Sequence, residues 1–540
     1  MSPPGMLCVT MQPKPELLEA QFHEWYNNEH GPTRLRLPQI FPNGLRYRQI
    51  DGKEPTYLAA YDVTAMSHLE TETYTTLRAN RSPREAETIG QVAVVRYFWD
   101  FVTEKKSPLF LPIEKLSNDE AEGLTLVLVQ IELKGDQAKS EAEVVKWYEQ
   151  EHMDMLSKVP GWLRTRMFRT STLESGGPTY IWALHDYTKE NGLSGPEFKA
   201  ATSTPWKDEV MEKYANIKDR RVFGLFYTFG PAPRDLSSLS QLPAERSTFT
   251  SADAKTATTN NTKPVIASYI TAPDGLSIPY RLEGNPDPKA PVIAFCNSLL
   301  TSLHMWDKFV ELMKIHRPQY QILRYDTRGR HSIPSPTPVT LDKVSDDLAY
   351  VLEALRIPKL DTLIGVSMGG ATTLKFALKY PEKLNKFIAC DFNVASSAAN
   401  TEAWKGRISM AETPLEDGKP GITKLAGQTV ERWFHPDTMK NAETVQWVQE
   451  QVATNDIEGF RYGCQALWDY DMKAEMKGCK VPGLLVVGEG DGKGALVKAM
   501  EGFKANVGAT GVDLAIVPNA GHLPMCENPE GFFKAVETFI

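Results

Sequence analysis

The sequence predicts two unlike halves: a repeated α+β unit, followed by a doubly wound, mostly parallel α/β sheet with a helical insertion. Three observations predict this. FHEWYNNEHGPTRLRLP at 22–38 returns as VVKWYEQEHMDMLSKVP at 144–160, so the first half contains a duplication. DTLIGVSMGGATTLKFALKYP at 361–381 runs from an apolar strand through a small-residue turn directly into a helix. From 264 onward, strand-like and helix-like segments alternate around that stretch, the pattern of a parallel sheet covered on both faces.

With 540 residues the chain exceeds a single core, and several domains are expected. A hydrophobic content of 41%, a charged content of 24% and a net charge of −8 describe an ordinary globular composition without a basic tract for nucleic acid or an anionic membrane. The expected partner is a small molecule, with self-association left open. Cys8, Cys296, Cys390, Cys464, Cys479 and Cys526 are scattered without a C-x-x-C pair, which indicates neither a disulfide framework nor a metal site. No cofactor is called for. The start, MSPPGMLCVTMQPKPE, lacks a signal-peptide pattern and no run approaches a membrane span, so a cytoplasmic protein is expected.

In the duplicated half, Trp25, Tyr26, Glu29, His30 and Pro38 recur as Trp147, Tyr148, Glu151, His152 and Pro160, with His30 and His152 offset by 122 residues. Pro55-Thr56-Tyr57 recurs as Pro178-Thr179-Tyr180 at nearly the same offset. Each copy reads strand, helix, strand, strand, helix, strand. The segments are 6–11, 17–37, 45–50, 57–63, 68–78 and 92–102 in copy 1–115. They are 124–133, 141–159, 162–170, 180–187, 197–217 and 222–229 in copy 116–230. That order is ferredoxin-like, and each copy can cover the other's open sheet face. Phe22, Tyr26 and His30 recur every fourth residue and share one helical face, expected to lie against the sheet with His30 toward the barrel mouth. Tyr26 with His30, and Tyr148 with His152, are therefore candidate proton-transfer pairs. Equally, either histidine can pack between helix and sheet and bond a backbone carbonyl. Glu29 and Glu151 are expected in surface salt bridges.

The W-Y-x-x-E-H motif with these flanks resembles the EthD-type dimeric α+β barrel family, here in tandem over about 5–230. That superfamily includes cyclases, dehydratases, isomerases and oxygenases, so the resemblance implies a barrel that binds or rearranges an aromatic or polyketide-like skeleton. A barrel that only binds is the alternative. Residues 231–263, rich in Ser, Thr, Pro and Ala, read as a connection.

In the second half (264–540), strands are expected at 267–272, 276–283, 291–295, 320–325, 361–365, 386–390, 483–487 and 512–517. Gly365-Val366-Ser367-Met368-Gly369 fits a nucleophile elbow, in which serine occupies a strained strand-to-helix turn and flanking glycines permit close packing. The helix that follows directs its N-terminus at the site, which places the Met368 N–H for a developing oxyanion.

NSLLTSLHMW at 297–306 resembles the N-S-L-x-T-[ST]-x-x-M-W loop of 3-oxoadipate enol-lactonases, and 326–329, 432–434 and 454–456 match further stretches of that family. The resemblance implies an α/β-hydrolase fold, with Ser367 as nucleophile, His522 as base and acid, and Asp491 orienting the imidazole. Glu489 and Asp391 are alternatives for the acid. The Leu299 and Met368 amides would form the oxyanion hole. The resemblance also implies a helical lid over about 392–480, from which Trp404, Arg407 and Trp468 would face substrate. Two departures, Arg330 where the family has histidine and Leu300 where it has glycine, are expected near the mouth and imply a substrate other than simple oxoadipate enol-lactone. The expected activity is serine-dependent cleavage of a lactone, ester or activated C–C bond, with a non-hydrolytic lyase or cyclase as the alternative.

Overall fold

The computed structural model describes residues 2–174, 177–243, 248–260, 263–334 and 337–540. Two compact units divide the chain, Met1–Pro233 and Arg234–Ile540.

In the first unit, strands β1 (Gly5–Pro13), β2 (Leu45–Gln49), β3 (Tyr57–Val63), β4 (Val92–Lys106), β5 (Thr125–Leu133), β6 (Trp162–Thr170), β7 (Tyr180–Tyr187) and β8 (Ala215–Thr228) close an antiparallel barrel. The order is β1-β3-β2-β8-β5-β7-β6-β4. Each copy supplies four neighbours in equivalent order, and the copies meet at two seams, β2 with β8 and β4 with β6. Closure leaves no unpaired edge.

Alternation along the strands divides the apolar residues between two layers. Met6 and Cys8 of β1 join residues from both copies in one core that fills the barrel, where Trp99 stacks on Trp182 at 4.6 Å. Leu7, Val9 and Met11 face outward and pack with Phe22, Trp25 and Tyr26 of the first helical segment. His30 therefore lies between helix and outer sheet face, away from the expected barrel mouth, because the lumen is already filled by side chains.

The helical segments differ in detail from expectation. The segment expected at 17–37 comprises Glu19–Trp25, a π-helical turn Tyr26–His30, and Gly31–Leu35. The second copy repeats this as Gln137–Trp147, a π-helical turn Tyr148–His152, and Met153–Leu156. In both turns the N–H after the histidine donates to the tyrosine carbonyl five residues back. This wide turn brings the Tyr26 and His30 rings to 4.7 Å. The helix expected at 197–217 splits into Pro196–Ala201 and Pro205–Lys213, because Pro205 lacks an N–H and Thr204 caps the second piece. An unexpected helix, Pro83–Gly90, starts behind the Ser82 cap.

Neither glutamate forms a surface salt bridge. Glu29 is buried and accepts from Arg84 Nε and Nη2 at 3.1 and 3.0 Å, because the π-helical turn directs it inward. Glu151 accepts from Trp147 Nε1 at 3.1 Å and Thr204 Oγ1 at 2.6 Å.

The second unit is built on a ten-stranded sheet. Its strands are β9 (Phe249–Thr250), β10 (Ala257–Thr259), β11 (Val265–Thr271), β12 (Ser277–Gly284), β13 (Val292–Cys296), β14 (Gln321–Tyr325), β15 (Leu360–Val366), β16 (Leu384–Cys390), β17 (Gly483–Gly488) and β18 (Asp513–Val517). The order is β18-β17-β16-β15-β13-β14-β12-β11-β10-β9, parallel from β14 to β18 and antiparallel from β12 to β9. Within 231–263, expected as a tether or surface-draped connection, the described residues carry a helix, Leu236–Ser240, and the strands β9 and β10. The β10 backbone pairs with β11 and Thr256 Oγ1 bonds Ser268 Oγ at 2.7 Å, contacts that residue composition does not encode. Residues 244–247 and 261–262 of that stretch lie outside the described residues. Among the described residues no helix is long and apolar enough to cross a membrane.

One ion network fastens the antiparallel strands to the helix Asp307–His316. The fully buried Glu283 on β12 receives Arg324 of β14 through Nε at 2.9 Å, Lys314 Nζ at 2.6 Å and Arg281 Nε at 3.1 Å. These cations hold its carboxyl below the usual range of about 4.5 against the cost of burial. Glu283→Gln removes the buried charge these cations share, leaving Arg324 only Asp307 and Lys314 only Glu311, and is expected to destabilise the second unit by ~3–5 kcal/mol. Urea unfolding, with hydrogen exchange of β12 and β14 peptides, measures this loss. A depressed folded pKa stabilises above the unfolded value and is lost as pH falls through the folded one, so the variant should also lose part of the wild type's acid sensitivity.

Candidate active site

Ser367 closes β15 and opens the helix Met368–Lys379, with φ 61° and ψ −121°. A non-glycine residue in this region costs on the order of 1–3 kcal/mol, and the surroundings must impose it. They do so by close packing. A Cβ on Gly365 would sit 2.2 Å from the Gly369 carbonyl oxygen, and one on Gly369 would sit 2.2 Å from the Cys296 carbonyl oxygen. The Ser367 N–H also donates to the Cys390 carbonyl of β16 at 2.9 Å.

Asp491 follows β17 and His522 follows β18, so all three residues stand at the C-terminal edge of parallel strands. His522 Nδ1 bonds Asp491 Oδ2 at 2.7 Å. The His522 backbone N–H donates to the Trp433 carbonyl at 2.7 Å, and the Trp433 ring packs 5.4 Å from the imidazole. Of the alternative acids, Glu489 accepts the Asn519 N–H at 3.2 Å instead. Asp391 is fully buried after β16, and its Oδ1 accepts the Gly488 N–H at 2.8 Å. Burial and the neighbouring Asp491 charge push its carboxyl far above the usual range, which favours the neutral acid.

The loop carrying Leu299 is fixed on both sides. Asn297 Nδ2 donates to the Tyr325 carbonyl at 2.8 Å, and Trp306 Nε1 donates to Asn297 Oδ1 at 3.0 Å. Leu300 has φ 70°, and its carbonyl accepts from Asn455 Nδ2 at 2.8 Å. Met368, first in its helix, has an N–H with no partner inside the helix. Arg330 Nη1 donates to the Gln451 carbonyl at 2.9 Å and Nη2 to Thr454 Oγ1 at 2.7 Å, and Gln451 Oε1 in turn accepts the Ser302 N–H at 3.1 Å. These bonds tie its loop to the helix Ala442–Ala453.

Between β16 and β17 the chain forms the helices Ala398–Glu412, Ile422–Trp433, Ala442–Ala453 and Ile457–Gly463. Trp404 and Arg407 come together, with the guanidinium 4.4 Å from the indole. Trp468 instead has Lys405 Nζ over its ring at 5.7 Å. The indole nitrogens of Trp404 and Trp468 are buried with no hydrogen-bond partner among the described residues. Sequence reasoning overlooked Arg432 as a site residue. Its side chain is exposed, but partial desolvation and the nearby Arg407 charge lower its guanidinium, and the Asp491 charge opposes that shift. Neither arginine has a carboxylate partner among the described residues, whereas Arg328 is locked to Asp347 at 2.7 and 2.8 Å. An Arg-Trp-Phe run at 432–434 marks the position in sequence, but its nearness to Arg407 and Asp491 arises only on folding.

In the barrel, His30 Nδ1 meets Glu85 Oε1 at 2.6 Å, and Tyr61 donates its hydroxyl hydrogen to the Tyr26 hydroxyl at 3.1 Å. In the second copy, His152 Nδ1 donates to the Ala201 carbonyl at 3.0 Å, and Tyr148 packs at 4.8 Å from its ring. Glu85 lies 55 residues from His30 in the chain, and no sequence spacing announces their pairing.

Comparison with known proteins bears on the second unit. Residues 291–411 match the family described as alpha/beta hydrolase fold. The C-terminal half is an α/β hydrolase. This hydrolase half is similar to 3-oxoadipate enol-lactonase 2 of Acinetobacter baylyi, with 28% identity over 270 residues, 50% of this chain and 94% of that protein. It is similar to 3-oxoadipate enol-lactonase 1 of the same organism at 27% over 275 residues, 50% and 96% of the two chains. Among solved structures, the enol-lactonase from Burkholderia xenovorans LB400 is 28% identical over 50% of this chain and 98% of its own, with a TM-score of 0.44.

The close packing of the hydrolase turn makes a specific prediction. Gly369→Ala forces a Cβ against the Cys296 and Asn297 carbonyls and is expected to cost ~1–3 kcal/mol. Gly406→Ala, which meets open space within the helix Ala398–Glu412, is expected to stabilise by ~0.5–1 kcal/mol. Urea midpoints of the two variants should move in opposite directions.

Proposed function

We propose that the hydrolase half cleaves an ester or lactone carbonyl of an anionic small molecule through an acyl-Ser367 intermediate. The observation that carries this is the His522–Asp491 pair, at 2.7 Å, on the same sheet edge as the strained Ser367 turn. Ser367 Oγ attacks the carbonyl carbon and passes its proton to His522 Nε2, while Asp491 holds the Nδ1–H and offsets the imidazolium charge. The Leu299 and Met368 amides receive the oxyanion. His522 then protonates the departing oxygen. In an enol lactone this oxygen leaves as an enol that becomes the ketone. Water, deprotonated by His522, releases the acid and restores the serine.

The helices between β16 and β17 act as the lid and set the substrate class. Arg407 and Arg432 supply two positive charges without protein counter-ions, and the Trp404 and Trp468 indoles supply N–H donors and apolar faces. This set favours a planar or aromatic substrate bearing a carboxylate or phenolate. A neutral Asp391, which its raised pKa favours, places no second charge behind Asp491. A second carboxylate charge there would raise the pKa of the acid that must stay ionised.

The tandem α+β barrel, read as EthD-type and ferredoxin-like, binds or rearranges the same skeleton. One chain carrying both sites raises the effective concentration of the shared intermediate.

A fluorophosphonate probe is expected to label Ser367 alone, with no adduct on Ser367→Ala in intact-mass spectra; a folded, unlabelled wild type contradicts the reading. Asp491→Asn should lower kcat on an enol-lactone or aryl ester by about 10³–10⁴-fold, as an imidazole in the wrong tautomer requires. Asp391→Asn, neutral like the protonated acid, should stay within about tenfold of wild type. Arg432→Leu should raise KM for a carboxylate-bearing ester by about tenfold or more and leave an uncharged ester unchanged. Hydrolysis in ¹⁸O water must place solvent oxygen in the product acid, and its absence favours a non-hydrolytic acceptor.

A further inference from the structure

The two histidines of the duplication form an internal comparison. His30 and His152 occupy the same place in the same π-helical turn, four residues after a buried tyrosine and beside a tryptophan. His152 spends its Nδ1 hydrogen on the Ala201 carbonyl, the role of a packing residue. His30 instead meets a carboxylate, Glu85 Oε1 at 2.6 Å, with both side chains nearly enclosed. Glu85 is brought there by the Pro83–Gly90 helix, whose cap, Ser82, accepts the Glu85 N–H at 3.0 Å. With Nδ1–H committed to Glu85, Nε2 carries the free lone pair, and it bonds no described residue.

His30 lines a narrow cleft on the outer face of the first copy's sheet, with Tyr26, Arg34, Tyr61, Tyr74 and Arg96. Arg34 is buried and donates Nη1 to the His30 carbonyl at 2.7 Å, but has no carboxylate partner among the described residues. Arg96 is half-buried and likewise lacks one. Burial and the charges of Arg78, Arg34 and Arg81 lower its guanidinium, so cationic charge accumulates at this cleft. Tyr26 accepts from Tyr61, which leaves the Tyr26 hydroxyl hydrogen free to be donated. Burial holds both phenols neutral.

We infer that this cleft is a second acid–base site, where His30 moves a proton at the carbon beside a carbonyl group of a small carboxylate-bearing keto compound. The inference rests on the reading of the barrel as a partner in the same chemistry, but not on Ser367. His30 Nε2 takes the proton, and the C–H electron pair becomes the enolate π bond, with its charge on the former carbonyl oxygen. Tyr26 donates a hydrogen bond to that oxygen, while Arg34 and Arg96 hold the carboxylate and offset the enolate. Return of the proton to the same carbon gives exchange, and return to a conjugated position gives isomerisation. Neither needs an oxidant or a co-reactant. Glu85 is a positioning residue: it fixes the tautomer and stabilises the imidazolium. Free volume in this state is about 20 Å3, so a ligand must displace Tyr74 or Ile89, which stand on the short helices Glu72–Ala79 and Pro83–Gly90.

The groups facing His30 are Glu85, Arg34, Arg96 and the three tyrosines. Burial and Arg34 hold its pKa down at about 4, against the opposing pull of Glu85. Nε2 is therefore unprotonated at neutral pH, and the rate should be flat above pH 5 and fall below about pH 4.

The test is deuterium uptake from D2O into 3-oxoadipate, followed by proton NMR with full-length Ser367→Ala protein. Uptake faster than buffer is expected. It should drop at least 100-fold on adding His30→Gln and remain unchanged on adding His152→Gln. Arg96→Met should raise the half-saturating 3-oxoadipate concentration about tenfold or more, whether or not His30→Gln folds. Glu85→Gln should slow uptake and move the acid limb to lower pH, a shift that a merely structural glutamate would not produce. No acceleration by the parent protein, or equal acceleration by folded His30→Gln, overturns the inference. Fluorophosphonate labelling of Ser367 in the His30→Gln chain reports the hydrolase reading separately.

Discussion

The second unit depends on one constraint, the left-handed backbone at Ser367. The turn is unfavourable for a serine, and two contacts impose it: Gly365 against Gly369, and Gly369 against the Cys296 carbonyl. Those contacts fix how closely the helix Met368–Lys379 lies on β15 and β13. They also fix where the Met368 N–H and the serine hydroxyl emerge. Because β15, β16, β17 and β18 are consecutive parallel neighbours, residues that follow their C-terminal ends are delivered to one edge. The Asp491–His522 pair is a consequence of that strand order.

Charged side chains in this chain differ in whether the protein itself neutralises them. Glu283, with three cations around it, and Arg328, clamped by Asp347, are buried charges whose partners are all protein. Arg34, buried, and Arg96 and Arg407, half-buried, have no carboxylate partner among the described residues, and neither does the exposed Arg432. A guanidinium pays a desolvation cost that a fold ordinarily offsets with a counter-ion. Where the chain supplies none, an anionic ligand is the natural complement.

Duplication gave the barrel its closure and then allowed the copies to diverge. Both retain the π-helical turn and its Tyr–His ring pair, so the turn belongs to the architecture. They differ in what meets the histidine Nδ1: a helix-borne carboxylate in the first copy, a backbone carbonyl in the second. Side chains from both copies fill the barrel interior, and the cleft around His30 lies instead on the helix-covered outer face.

Local pattern alone determined the duplication, most strands of both units, the turn at Ser367 and the parallel sheet around it, because strand alternation and a Gly-x-Ser-x-Gly turn are written in adjacent residues. The resemblance of 297–306 to enol-lactonases pointed to the same half that matches the α/β-hydrolase family. Only the tertiary structure decided that β9 and β10 extend the sheet, that Glu29 is buried, that Arg330 braces a helix, and that Arg432 joins Arg407. The same holds for Glu85 and His30. Apart from the short-range pairing of β9 and β10, each of these depends on a contact between residues tens or hundreds of positions apart, where hydrogen-bond geometry and desolvation select the partner. Sequence spacing encodes which face a residue occupies, but not which distant charge that face will meet.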